Sequence, residues 1–77
     1  MNIIAMTSQG FRTYVEVDTI KVQMMLVLSE GEVQIISVAV VERAMTGVAS
    51  YVDCFQYAYE LVMSGKSVEE IETILKS

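Results

Sequence analysis

The chain has 77 residues, 53% of them hydrophobic and 19% charged, and a formal net charge of −5. Its dispersed basic residues (Arg12, Lys21, Arg43, Lys66 and Lys76) argue against unaided nucleic-acid binding, which needs clustered cations on phosphates. The lack of histidine removes the commonest general base and metal ligand, and the lone Cys54 rules out an internal disulfide or a thiolate zinc site.

In chain order, strand patterns come first, over about 2–7, 11–17, 20–29 and 32–41; two helical patterns follow, over about 44–64 and 67–76. That order predicts a single α+β domain, a four-stranded antiparallel meander in the order 1-2-3-4 with both helices on one face. The opening residues, Met1-Asn2-Ile3-Ile4-Ala5-Met6, have no basic stretch and too short an apolar run for a signal peptide. Asp18-Thr19 and Glu30-Gly31 are expected as tight turns. Those turns, with a loop at Ser8-Gln9-Gly10, align Ile3, Phe11, Val15, Val17, Ile20, Val22, Met24, Leu26, Leu28, Val33 and Ile35 on one face and set Glu16 opposite Lys21.

The opposite face of that sheet would carry Ile4, Met6, Tyr14, Met25, Val27, Ile36, Val38 and Val40, ringed by polar residues. A large exposed apolar patch marks an interaction site, so this set is the expected self-association surface. The stretch from Val22 to Val41 is about as long as a membrane span, yet Ser29-Glu30-Gly31-Glu32 lies at its centre, where two carboxylates would be costly. A cytoplasmic protein without a membrane partner is expected, and the single cysteine suits a reducing compartment.

In the first helical pattern Met45, Val48, Val52, Phe55, Tyr59 and Val62 form an apolar stripe, with Gly65 as its end. A second stripe of Gly47, Tyr51, Cys54, Ala58 and Leu61 lies beside it, more than one sheet contact requires. Ser67-Val68-Glu69-Glu70 matches a capping box that starts the last helix, whose Val68, Ile71, Ile74 and Leu75 would dock on that second stripe.

Chemistry is sparse. Cys54 sits on an apolar stripe with no base to activate it and reads as a small buried hydrophobe. Glu30 and Glu32 lack the further oxygen ligands of a calcium loop, and the glycines are too scattered for a phosphate loop. No catalytic residue, metal or cofactor is expected. Asp53, Tyr57, Glu60, Glu69, Glu70 and Glu72 form an acidic helix surface suited to a protein partner.

The reading is a non-enzymatic homo-oligomer that binds and modulates or inhibits an unidentified protein. Its style, by size and acidity rather than by any motif, resembles the small accessory proteins of phages and other mobile elements. The competing reading is a small-molecule binder with a pocket between protomers near Tyr14, Met25, Tyr51 or Tyr59. An enzyme built from carboxylates and tyrosines alone is the least supported.

Overall fold

A computed structural model describes residues 8–77. Among these the chain is all-helical: α1 (Ser8–Met24), α2 (Glu30–Met45), α3 (Tyr51–Met63) and α4 (Val68–Lys76). No strand is present among the described residues, so the expected α+β class and four-stranded meander are wrong. The strands expected over 11–17, 20–29 and 32–41 are replaced by α1, α2 and the link between them; the one over 2–7 lies outside the described residues.

Helix starts explain the difference. Ser29 takes an extended backbone (φ −73°, ψ 161°), and its hydroxyl accepts the Glu32 N–H while Glu32 accepts the Ser29 N–H. This reciprocal capping box satisfies donors that a helix start would otherwise leave orphaned. It falls where a Glu30-Gly31 hairpin turn was expected, and Gly31 lacks the positive φ such a turn requires. Ser67 and Glu70 repeat the box at α4, as their spacing predicts, and Ser50 caps α3 through the Asp53 N–H.

Helix ends are equally local. Gly65 has φ +86° and follows the C-cap Ser64; its N–H reaches the Val62 carbonyl and that of Lys66 reaches Leu61. These paired bonds form a Schellman stop, the role the sequence assigns to Gly65. Gly47, at φ +80°, ends α2 in a similar way. The single helix expected over 44–64 is therefore broken, its first residues closing α2 and the rest forming α3.

The core is built on α3, where Cys54, Phe55, Ala58, Leu61 and Val62 are buried. From α2 come Val33, Ile36, Ala39 and Val40; from α4, Ile71 and Leu75; from α1, Val17 and Met24. Burying each valine, leucine, isoleucine, methionine and phenylalanine of this set stabilises the fold by about 1.5–3 kcal/mol. Contacts decide the layout: α2 packs on α3 and α4, whereas α1 packs on α3 and hardly touches α2. The result is less compact than its length allows. The radius of gyration is 13.0 Å, against about 11 Å for a globule of this length.

Candidate interaction surface

On α2 the inward face holds Val33, Ile36 and Val40, yet the outward face is also apolar. Gln34, Val38, Val41 and Met45 follow one another at intervals of four, three and four residues, all exposed. That spacing is the seam of a helix that pairs with another helix. Met45 is 81% exposed and Val38 53%, and Val48 is exposed just beyond the helix end. The link from α1 to α2 adds Leu26, 81% exposed, and Val27.

Because α1 and α2 splay apart over α3, an open groove of about 450 Å3 lies between them. Lys21 of α1 and Met25 just beyond it form one wall, Val38 and Val41 of α2 the other, and Val33, Ser37 and Tyr51 also line it. Lys21, Glu30 and Glu42 supply its charges. The Lys21 ammonium lies 5.4 Å from the Phe55 ring centroid, a cation–π contact that holds it against α3. Burial, reinforced by the nearby Asp18 carboxylate, pushes the Tyr51 hydroxyl above its ordinary pKa and keeps it neutral.

The expected self-association residues divide in this geometry. Tyr14, Met25, Val27 and Val38 are exposed, on α1, the link and α2. Ile36 and Val40 are fully buried in the core. A two-residue step keeps Ile36 and Val38 on one side of a strand but turns them about 200° apart on a helix. Ile4 and Met6 lie outside the described residues. Ile35, Val41, Met45 and Val48 were missed; the signal for Val41 and Met45 was the four-three-four spacing, hidden by the alternating pattern that overlies it.

Of the tyrosines and Met25 expected at a ligand pocket, Met25 and Tyr51 share the groove. Tyr59 lies across α1 from it, in a smaller depression with Val15, Ile20 and Val52, and Tyr14 lines neither.

The acidic set is spread over α3 and α4. Asp53 and Glu60 are exposed on α3, and Tyr57 lies beneath the Arg43 guanidinium of α2. Glu69 and Glu70 begin α4, where carboxylates suit the helix dipole. Glu70 is committed to its capping box, and the bonds from Ser67 hold its carboxyl below the usual carboxylate range. Glu72 accepts from Lys76 at 3.1 Å, and Lys76 also lies 3.8 Å from Glu42. These partners raise the Lys76 ammonium above its ordinary value, the Glu72 hydrogen bond foremost.

Cys54 is buried, its thiol facing the Ala49 carbonyl at 3.9 Å. Among the described residues no three carboxylate or thiol groups converge as metal ligands, and no helix is long and apolar enough to cross a membrane. No family model, curated protein or solved structure matches this chain.

Proposed function

We propose that this protein is a non-enzymatic protein-binding module that works as a homo-oligomer in the cytoplasm. The observation that carries the reading is the outward face of α2, where Val38, Val41 and Met45 stand in solvent at the spacing of a helix-pairing seam. With the seam covered by self-association, the acidic outer faces of α3 and α4 are left for an unidentified partner that the protein modulates or inhibits. The reducing compartment accords with a lone cysteine held inside the core.

Light scattering tests the reading. The expected result is an oligomer of the 8.6 kDa chain that Val38→Glu converts to a folded monomer. Val38 is exposed, so the substitution leaves the helical core intact. A wild-type chain that stays monomeric across micromolar concentrations overturns the proposal.

The groove supports a second reading, a small apolar ligand held between Met25, Val38 and Tyr51. Its 450 Å3 is within the span of ligand pockets. Native mass spectrometry of protein purified from cells distinguishes the two readings, because a carried ligand adds a discrete mass to each chain.

A further inference from the structure

We infer that the occupant of the α2 seam is a second copy of this chain, docked antiparallel across a two-fold axis between Val38 and Val41. The inference rests on the homo-oligomer reading above and specifies its geometry.

The seam matches itself only in that direction. Within α2 the line runs Gly31, Gln34, Val38, Val41, Met45, and the exposed Val48 follows beyond the turn at Gly47. Antiparallel pairing sets Val38 against the partner's Val41 and Gln34 against the partner's Met45. Valines then meet at the centre, and the Gln34 amide meets a flexible thioether side chain at the rim. A parallel pair would face Gln34 with Gln34 and leave a gap where two glycines met. It would also align the two helix dipoles, which antiparallel pairing opposes.

Area decides how much else takes part. At 1.5 Å per residue the 16 residues of α2 span about 24 Å. A face about 10 Å wide then gives roughly 250 Å2 per copy, or about 500 Å2 for the pair. That is the size of a lattice contact, whereas a stable interface needs at least about 1,000 Å2. The splayed α1 supplies the remainder. Antiparallel docking carries Met45 and Val48 of each copy to the α1–α2 link of the other, where Leu26 and Val27 stand exposed. Leu26 and Met45, each 81% exposed, are thereby brought together.

Charge permits the contact. Gln34, Val38, Val41 and Met45 are uncharged, and Asp53, Glu60, Glu69 and Glu70 lie on the outer faces of α3 and α4. Glu30 and Glu42, which line the groove beside the seam, are the carboxylates that two copies of net charge −5 must keep apart there. In the antiparallel register Glu42 stands level with the partner's Ser37 rather than with a carboxylate.

Mixed-cysteine cross-linking tests the register. Gln34→Cys and Met45→Cys chains are purified separately and reduced, then mixed and oxidised; both positions are exposed, and Cys54 is shielded in the core. The expected product is a disulfide joining one chain of each kind, with little from either variant alone. Residue 34 and its own copy would be about 16 Å apart along the axis, beyond the reach of a disulfide. Disulfides within each variant would show parallel pairing and overturn the inference. A wild-type dimer with no cross-link in the mixture would remove α2 from the interface while leaving the homo-oligomer reading standing. A monomeric wild type in light scattering would overturn both.

Discussion

The guanidinium of Arg43 lies 5.1 Å from the ring centroid of Tyr57, and its Nη1 points at the carbonyls of Ile74 and Leu75, 3.5 and 3.4 Å away. One side chain near the end of α2 thus touches α3 and closes the C-terminus of α4, where a cation also suits the helix dipole. These hydrogen bonds are long, so the stacking and the dipole carry much of the effect. Arg43→Ala is expected to cost about 1–2 kcal/mol of stability. Arg43→Lys recovers less than half of that, because a single ammonium cannot stack flat and reach both carbonyls. Urea denaturation of the two variants checks both the size and the order.

Ile36 and Val38 provide a direct test of the helical fold against a sheet. Ile36→Ala removes a fully buried side chain and is expected to cost about 2–5 kcal/mol. Val38→Ala changes an exposed position, so the stability of the single chain should move by about 0.5 kcal/mol or less. Equal losses at both positions, measured where the protein is monomeric, would return them to one face.

The capping boxes make stability pH-dependent. Hydrogen bonds from Ser29 and Ser67 hold the Glu32 and Glu70 carboxyls below the usual range in the folded chain. The unfolded chain therefore takes up protons first as pH falls. The contribution of the boxes is complete above the unfolded carboxylate pKa and is lost as pH drops through the lower, folded values. Between about pH 6 and about pH 3 the wild-type urea midpoint should fall further than that of Glu32→Gln/Glu70→Gln, whose amides keep the reach-back bond without titrating. Parallel curves would count against it. Ser29→Ala should cost about 1 kcal/mol at neutral pH.

Gly65 and Gly31 should respond in opposite directions. A Cβ at either meets nothing within 4 Å, so backbone preference alone decides. At φ +86°, Gly65→Ala places an L residue in the left-handed region and should cost about 1–2 kcal/mol. In the first turn of α2, Gly31→Ala should instead raise thermal stability by about 0.5–1 kcal/mol.

The caps were the most legible part of the fold. Ser67-x-x-Glu70 locates α4 from sequence, and Gly65 marks the stop before it. The same signal, serine followed three residues later by an acid, precedes α2 at Ser29/Glu32 and α3 at Ser50/Asp53. Period-two alternation obscured it. Val33, Ile35, Ile36, Val38, Val40 and Val41 are β-branched, a composition that favours strands, and they surround α2 on both faces, so no single apolar stripe stands out. The candidate surface was half legible for the same reason. The expectation of an uncovered apolar sheet face included Val38, which is exposed, whereas the two-residue period added Ile36 and Val40, which the helix turns inward.

The double-faced character of α2 has a consequence for how the chain reaches this arrangement. During synthesis α2 emerges before α3 and α4, and it offers them two apolar sides that differ little in hydrophobicity. A half-turn rotation would dock Val38, Val41 and Met45 inward, a competing packing of the kind that roughens a folding landscape. Arg43 breaks that near-symmetry. It lies on the same side as Ile36 and Val40, and only the native rotation carries it to Tyr57 and the α4 carbonyls. Arg43 is thus the index mark by which the helix finds its orientation, and the side it turns away from the core is the one left to greet another molecule.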